Sequence, residues 1–348
     1  MWRRDPFPPP RRRGGTRARP RVDTGVDPGE MDETVEFVAA PDPMQRTNIS
    51  KPSGPSFSGR NRRDGWVLVF PALLLILAMG VYPLLYSLFL AFHQWDLQTP
   101  ATPFIGLDNF RAALNDDRLW SALKNTWVIV IVGICFEFII GLGLALLLVD
   151  LPRLKRFVVP IFILPVMMVP IVVGLTWRML WDNQYGAINH VLRMIFGDGL
   201  NIIWLGQTNT AIIAMIITQI WQWTPFMFVV LLAAISAVSP DLYEAAALDG
   251  ANFWNTLKDI TLPSIRHIIA VAILFRGLDA FKIFDLVYIF TQGSPGTTTE
   301  TASWYIYRLG FQFFRMGYAS AISYLILIML SIVATIYVAA FIREGGKA

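Results

Sequence analysis

Residues 239–265 read SPDLYEAAALDGANFWNTLKDITLPSI and lie between two long apolar segments of the chain. The preceding segment, 212–238, is long enough to cross a bilayer, and another apolar run begins at His267. A polar stretch rich in helix-forming residues between two such runs predicts a structured connection between two membrane-spanning helices. The stretch therefore indicates an integral membrane protein rather than a soluble domain.

The composition of the whole chain indicates the same class. Of its 348 residues, 55% are hydrophobic and only 16% are charged, with a mean hydropathy of +0.50, whereas soluble domains are about 25% charged. Runs of about 20 apolar residues, which cross about 30 Å of hydrocarbon, predict an all-α membrane protein with six transmembrane helices. The predicted spans are residues 66–92, 125–149, 157–181, 210–238, 267–291 and 319–342.

The first 62 residues differ from the rest of the chain in composition. Pro, Arg, Gly and Ser dominate residues 1–62 without a periodic apolar face, so we predict a disordered cytoplasmic tail there and a transmembrane domain at 63–348. Arginine is concentrated in this tail and beside the spans. Membrane topology therefore explains the net charge of +4 better than a nucleic-acid partner does.

Lys and Arg residues near the span ends predict the orientation, because short loops that carry them stay in the cytoplasm. Arg153, Lys155 and Arg156 crowd the connection between the second and third spans, and Lys258 and Arg266 lie in or beside the quoted stretch. The three longer connections hold six Lys or Arg and seven acidic residues between them. We therefore expect both termini and the quoted stretch on the cytoplasmic side.

Local signals divide the quoted stretch into two short helices. Ser239 is a suitable N-cap and Pro240 a suitable first residue for a helix that ends at Gly250, the residue best suited to left-handed backbone. Asn252 can cap a second helix, which we predict to end just before Leu262 and Pro263.

The predicted second helix has an apolar face opposite a polar one. The apolar face consists of Phe253, Trp254, Leu257, Ile260 and Thr261. This pattern leaves three interpretations open: a helix lying on the lipid surface, a helix packed on the ends of its own bundle, and a surface that docks onto another protein.

The spacing of these residues resembles the EAA motif of ABC importer permeases. Three residues separate Glu244-Ala245-Ala246 from Gly250, and nine more separate Gly250 from Ile260-Thr261-Leu262-Pro263. In that family the motif forms two short helices joined at the glycine, in a cytoplasmic loop that fits a cleft on the ATP-hydrolysing subunit. The resemblance implies a coupling loop at 239–266. Its implied ATPase contacts are Glu244, Ala245, Ala246, Gly250, Phe253, Trp254, Leu257, Ile260, Leu262 and Pro263.

The resemblance covers residues 66–345 and extends to the carbohydrate-uptake branch of the family, the maltose-type sugar permeases. It rests on IGLDNF (105–110), ILPVMMVP (163–170), YGAIN (185–189) and FKIFDLVYIFTQGSPGTTTETASWYIYRLGF (281–311), in which Ser294 replaces a usual glycine. It implies the six-helix architecture of type I importer permeases in a bacterial cytoplasmic membrane. The implied partners are a second permease, two subunits that bind ATP and Mg, an extracytoplasmic substrate-binding protein and membrane lipid.

Span four contains an aromatic and amide cluster, TQIWQWTPF (218–226), with Pro225 expected to kink the helix near mid-membrane. Aromatic faces stack on the C–H faces of sugars, and amides pair with sugar hydroxyls. The alternative is that these aromatic side chains only pack. Similarity to the maltose-type permeases implies a solute pathway lined here by Gln219, Trp221, Gln222, Trp223 and Phe226.

Span five carries Arg276, Asp279, Lys282 and Asp285 at successive i, i+3 positions. Each charge near the bilayer centre costs about 2.5–3.5 kcal/mol, so these side chains must be paired or hydrated. An ion-pair ladder and a lining for the solute cavity are both open. Arg276, from its similarity to maltose-type permeases, and Asp279 are the first candidates for the pathway, whereas Glu137 in span two is expected to be a structural partner.

Several chemistries lack the residues they need. No G-x-x-x-x-G-K-[ST] phosphate loop occurs, so we expect no cofactor in this chain and ATP hydrolysis on separate subunits. The three histidines lack metal-ligand spacing, and no nucleophile and base pattern indicates an enzyme. An ion-gradient-driven secondary transporter, with the span-five charges as a proton relay, is the alternative function. A structural or sensory membrane subunit is another.

Overall fold

The computed structural model describes residues 60–96, 102–197, 199 and 201–341. The chain divides into two units, Met1–Asp64 and Gly65–Ala348. The predicted disordered tail lies outside the described residues except at its end, where Arg60 already begins the first helix. Within the described residues the α-helices are α1 (Arg60–Ile76), α2 (Tyr82–Ala91), α3 (Asp108–Leu114), α4 (Asp117–Leu148), α5 (Pro152–Met167), α6 (Pro170–Leu180), α7 (Ala187–Phe196), α8 (Thr208–Ser236), α9 (Pro240–Leu248), α10 (Phe253–Asn255), α11 (Leu262–Ala280), α12 (Asp285–Phe290), α13 (Ala302–Tyr307) and α14 (Met316–Phe341).

Four helical stretches in the described part of the chain are long and apolar enough to cross a membrane: Val69–Ala91, Asp117–Leu148, Thr208–Ser236 and Met316–Phe341. They correspond to the first, second, fourth and sixth predicted spans, and the predicted all-α class is confirmed. The second begins earlier than predicted because Asp116 caps α4, accepting hydrogen bonds from the backbone N–H groups of Arg118 and Leu119.

The third predicted span is not one continuous helix. Helices α5 and α6 meet at an angle of 94°, and count as a further span only if this bent pair is taken together. The break falls at Met168 and Val169, which have extended backbone with ψ of 140° and 131°. Pro170 follows directly, and a proline disfavours helical backbone in the residue before it. The prediction of an unbroken span at 157–181 was therefore wrong.

The fifth predicted span, 267–291, is likewise interrupted. Helix α11 ends at Ala280, and α12 begins only at Asp285. Because α11 has 19 residues that include three charged ones, composition alone does not identify it as a span. The turn after α11 carries Lys282, whose side chain is 76% exposed. The four charges predicted to follow one helix are thus divided between α11, the turn and α12.

The two longest helices, α4 and α8, form the centre of the fold. They approach closely at Gly141, where an added β-carbon would lie 2.9 Å from the backbone nitrogen of Phe228. Buried apolar side chains continue from this contact through Leu231 to Ile322 of α14. Small residues that let backbones meet are typical of helix packing in lipid, where burial from water does not drive association.

A polar network fixes the start of α4. Asp116 accepts hydrogen bonds from the hydroxyls of Tyr305 and Tyr318 at 2.6 and 2.7 Å. Burial acts to raise the pKa of Asp116, but these two bonds and two backbone N–H donors outweigh it and hold the pKa below its usual value. Nearby, the buried Glu300 accepts two hydrogen bonds from Arg118 at 2.7 and 2.6 Å. The network joins α4, α13 and α14.

Candidate functional site

Residues 239–266, called the EAA segment below, contain the predicted helix break. Gly250 has a φ of +74°, in the left-handed region that favours glycine. The next backbone N–H, that of Ala251, donates to the carbonyl of Ala246 at 2.9 Å and closes α9. Gly250 therefore ends α9 and forms the turn before α10, as the sequence predicts.

The two predicted N-caps have different outcomes. Asn252 caps α10, since its side-chain oxygen accepts a hydrogen bond from the backbone N–H of Asn255 at 2.9 Å. Ser239 occupies the N-cap position of α9 but makes no capping bond, because its hydroxyl donates instead to the carboxylate of Asp241 at 3.3 Å. Pro240 starts α9 as predicted.

The second helix of the EAA segment does not end before Leu262, contrary to the prediction. It continues from α10 through a π-helical segment, Thr256–Thr261, directly into α11. Pro263 has no N–H and its ring conflicts with the carbonyl four residues earlier. The widened turn ahead of it matches the insertions that π-helical turns make in α-helices. The EAA segment is thus joined to the helix that carries Arg276 without an intervening loop.

The expected docking face divides into an exposed and an inward part. Phe253 and Trp254 are 60% and 70% exposed. Thr261, which periodicity places on the same face, is instead buried against its own chain, so the single apolar face is divided; Ala246, an implied ATPase contact in α9, is buried as well. Of the other implied contacts, the exposed ones are Glu244, Ala245, Gly250 and Pro263, and the half-buried ones are Leu257, Ile260 and Leu262.

The inward part of the EAA segment contacts the ends of other helices. Between them lies a cavity of about 650 Å³, lined from α4, α5, α8 and the EAA segment. The hydroxyls of Tyr243 and Thr261 lie 3.3 Å apart and connect α9 with the π-helical segment. Lys155 of α5 donates to Ser236 at the end of α8 at 3.0 Å. The first contact holds the two parts of the segment together, the second joins α5 to α8 beside it, and the shared cavity lining places the segment against these helix ends.

A second cavity, of about 310 Å³, gathers most of the residues predicted to line a solute pathway. Five of the seven predicted residues line it: Gln219, Gln222, Trp223, Arg276 and Asp279. The lining is completed by Pro170 from the break between α5 and α6, Ala280 at the end of α11, residues 282–284 of the turn after it, and Asp285 and Leu286 at the start of α12. We call this space the polar cavity. Both helix interruptions that the span predictions missed therefore border it.

Arg276 and Glu137 form a buried ion pair beside the polar cavity. Arg276 Nε and Nη2 donate to the two carboxylate oxygens of Glu137 at 2.9 and 3.0 Å, and their side chains are 1% and 0% exposed. The guanidinium carbon lies 4.4 Å from the centre of the Trp223 ring. Asp279 Oδ2 lies 3.6 Å from Nη1 of Arg276, and Asp279 Oδ1 lies 3.8 Å from Nζ of Lys282. Residues of the predicted ladder thus pair with each other and line the cavity.

Two predicted pathway residues, Trp221 and Phe226, do not line the polar cavity. The ring of Trp221 meets Trp177 of α6 edge-on at 5.5 Å. Phe226 contacts Trp223 and Phe275 at ring distances of 6.5 and 5.7 Å. These contacts lie outside the polar cavity, and a pathway role for Trp221 and Phe226 stays a prediction. Helix α8 continues through Pro225 without interruption from Thr208 to Ser236.

Known proteins share both sequence and fold with this chain. The family described as "Binding-protein-dependent transport system inner membrane component" matches residues 137–344. The trehalose transport system permease protein SugA of Mycobacterium tuberculosis is 36% identical over 289 residues, which cover 82% of this chain and 92% of the relative. The trehalose/maltose transport system permease protein MalF of Thermococcus litoralis is 31% identical over 281 residues, covering 80% and 93%.

A solved structure with a similar fold is that of a bacterial ABC transporter involved in the import of the acidic polysaccharide alginate. It has a TM-score of 0.71 and 26% identity, covering 82% of this chain and 98% of that one. A structure of a bacterial alginate ABC transporter in complex with an alginate pentasaccharide-bound periplasmic protein has a TM-score of 0.66 and 28% identity, covering 80% and 94%.

Proposed function

Because the chain belongs to the family of binding-protein-dependent transport system inner membrane components, we propose that it is the permease subunit of an ATP-driven ABC importer for a sugar or related polyol. It is a transport subunit and not an enzyme. The EAA segment carries this proposal, because left-handed Gly250 leads into a helix whose Phe253 and Trp254 are exposed. An exposed aromatic pair on a polar segment suits a protein docking surface. The relatives named for trehalose and maltose support the solute class.

The proposed assembly contains a second permease, two ATP-binding subunits that hold ATP and Mg, and an extracytoplasmic substrate-binding protein. The similar transporter in complex with a sugar-bound periplasmic protein supports the last of these. The apolar stretch Val69–Ala91 leaves a surface for contacts within the membrane, because only 6% of its most apolar part is buried within this chain. Membrane lipid and the second permease are the partners we assign to that surface.

The proposed mechanism is alternating access driven by the ATP-binding subunits. When ATP draws those subunits together, the EAA segment moves with them. Since α10 continues into α11 without a loop, this movement reaches Arg276 and Asp279 at the polar cavity. The turn at residues 281–284 and the break before Pro170 let the lining rearrange while α4 and α8 stay packed.

The proposed orientation places both termini and the EAA segment in the cytoplasm, and it predicts the labelling of Lys258. In a Lys258→Cys variant that also carries Cys135→Ala, a membrane-impermeant maleimide should label inside-out vesicles and spare right-side-out ones. Lys258 is exposed, and the exposed native Cys135 must be removed so that it does not contribute. Labelling confined to right-side-out vesicles would contradict the orientation.

The energy source of uptake tests the proposed function. Proteoliposomes that contain this chain with its co-purifying subunits and binding protein should accumulate radiolabelled trehalose or maltose when ATP is enclosed. A protonophore should leave this uptake unchanged. Uptake that needs no ATP and collapses with the protonophore would instead establish the secondary transporter, which the family relationship already disfavours.

Trp223 and Trp221 form a matched pair for testing the pathway. Trp223 borders the polar cavity and covers Arg276, whereas Trp221 packs on Trp177 outside the cavity lining. We expect Trp223→Ala to lower ATP-driven uptake about tenfold, because an aromatic contact worth about 1.4 kcal/mol is lost. Trp221→Ala should change uptake far less. Equal losses in the two variants, at equal amounts of inserted protein, would remove the polar cavity from the pathway.

The charge of the solute is not decided by the relatives. Trehalose and maltose carry no charge, whereas alginate, in the structurally similar transporter, is an acidic polysaccharide. Arg276 is the cavity residue suited by type to an acidic group, since a guanidinium matches carboxylate and phosphate geometry. Its neighbours in the polar cavity therefore decide whether it is free to do so.

A further inference from the structure

The polar cavity contains both cations and anions, and no cation in it lacks a carboxylate neighbour. Its lining includes the cationic side chains Arg276 and Lys282 and the anionic side chains Asp279 and Asp285. Glu137 lies directly behind Arg276. Two positive and three negative charges leave one negative charge in excess. Charges near a cavity within a protein interact more strongly than in water, so this excess opposes a bound anion.

The edge of Arg276 that would recognise an acidic group is already occupied. A guanidinium binds carboxylate or phosphate through two parallel N–H groups. In Arg276 such a pair, Nε and Nη2, donates to Glu137 at 2.9 and 3.0 Å. Its Nη1 lies 3.6 Å from Asp279, and Trp223 covers one face of the group. An acidic solute would have to displace Glu137, which has no exposed surface, from this edge or compete with Asp279 for Nη1.

Lys282 is the second cation, and it also forms an ion pair with Asp279. Its amino group lies 3.8 Å from the second carboxylate oxygen of Asp279. One aspartate thus stands between the two cations of the cavity and contacts both. Asp285 also lines the cavity, but Asp279, which is 36% exposed by side chain, lies between the two cations. This position makes Asp279 the residue with most control over the charge preference.

Gln219 supplies a contact suited to an uncharged solute. It lines the polar cavity and is 3% exposed; its amide side chain interacts with Glu137, and its amide oxygen has no hydrogen-bond partner among the described residues. An amide can donate and accept at once, as a hydroxyl can. A buried polar group without a partner is costly, so a solute hydroxyl that pairs with Gln219 is favoured.

From these contacts we infer that the polar cavity takes an uncharged polyhydroxylated solute and rejects its anionic analogue, with Gln219 contacting the solute and Asp279 setting the charge preference. The inference rests on the proposed function, because it assumes that solute passes through this cavity. It goes further by excluding sugar phosphates and acidic sugars as solutes.

Binding to the permease itself tests this inference separately from the binding protein. The chain is purified with its co-assembled subunits in lipid nanodiscs, without binding protein, and titrated with trehalose, maltose, trehalose 6-phosphate and maltose 1-phosphate. Saturable change in tryptophan fluorescence reports binding, because Trp223 borders the cavity. We expect half-saturation by the uncharged sugars at concentrations at least tenfold lower than by the phosphates.

Three variants assign the preference to residues. Asp279→Asn should lower the preference for uncharged sugars over sugar phosphates, measured as the ratio of their half-saturation concentrations, at least tenfold, because it releases Lys282 and removes the excess negative charge. Lys282→Gln, a change at an exposed side chain that should not impair folding, should raise this ratio. Gln219→Leu should weaken binding of the uncharged sugars at least tenfold. Asp241→Asn, the same chemical change in the EAA segment and outside the cavity lining, should leave the preference unchanged.

The outcomes separate this inference from the proposed function. Equal binding of sugars and sugar phosphates by the unmodified protein, or an unchanged preference in both Asp279→Asn and Lys282→Gln, would overturn the charge selectivity. Failure of both uncharged sugars to bind would overturn the assignment of the cavity to uncharged solutes. Neither result affects the proposed function, which stands or falls with ATP-driven uptake.

Discussion

Replacing Gly250 with proline is expected to abolish ATP-driven uptake while the chain still inserts into the membrane. Gly250 has a φ of +74° and its N–H donates to the Ala247 carbonyl at 3.2 Å. Proline fixes φ near −65° and has no N–H, so the turn between α9 and α10 cannot form. We expect uptake to fall more than tenfold and the ATP-binding subunits to be lost on purification. Quantifying both against membrane-inserted protein checks the prediction.

A matched control for this variant is Gly250→Asn. Asparagine tolerates left-handed backbone better than most residues, and an added β-carbon at Gly250 meets no atom within 4 Å. The asparagine variant should therefore keep most of its uptake and its ATP-binding subunits. Similar losses in the two variants would mean that docking requires the absence of a side chain at position 250 rather than the left-handed backbone.

Replacing Arg276 with alanine is expected to destabilise the whole domain. Glu137 would be left without its partner in a position with no exposed surface. Removing one member of a buried ion pair costs about 3–5 kcal/mol of stability. Thermal or denaturant unfolding in detergent should show a loss of this order, and uptake should fall with it. An unchanged unfolding midpoint would show that the pair does not hold α4 against α11.

The double variant Glu137→Leu with Arg276→Met distinguishes an unpaired charge from lost packing. Both replacements are apolar and of similar volume, and such substitutions for buried ion pairs are often neutral. The double variant should regain most of the stability lost by Arg276→Ala. Measuring solute binding to the double variant then tests the role of Arg276 in the polar cavity in a protein that is still folded. A double variant as unstable as the single one would contradict the ion-pair explanation.

The sequence predicts the elements whose signal is local. Four spans follow from apolar length, and the turn at Gly250 follows from the one residue type that favours a positive φ. The break before Pro170 also has a local signal, because proline restricts the residue that precedes it. The run ILPVMMVP nevertheless predicts a continuous span by hydropathy, since its composition is apolar throughout. Hydropathy measures burial in lipid and does not report the path of the backbone.

Other features depend on contacts that no local pattern contains. Glu137 and Arg276 lie 139 residues apart, so their pairing appears only when α4 and α11 meet. The packing of Trp221 on Trp177 and the end of α11 at Ala280 depend on tertiary contacts in the same way. Periodicity places Thr261 on the same apolar face as Phe253 and Trp254, but Thr261 is buried, because the π-helical segment changes the rotation of the side chains there.

The charges that suggested a proton relay have a different arrangement in the structure. Arg276 is bound to Glu137 and Asp279, and Lys282 lies at an exposed turn rather than in a helix. These charges thus pair with one another around the polar cavity, which agrees with an importer whose energy comes from other subunits.

Photo-crosslinking from position 254 is the most direct measurement of whether the EAA segment docks onto an ATPase. Trp254 is 70% exposed and follows the turn at Gly250. A photoreactive phenylalanine analogue in its place should, in native membranes, form a crosslink to a protein that carries a G-x-x-x-x-G-K-[ST] loop and hydrolyses ATP. The same analogue at Leu327, an exposed residue of α14, should not. Crosslinks from position 254 only to lipid or to this chain, with inserted and folded protein, would contradict the proposed coupling.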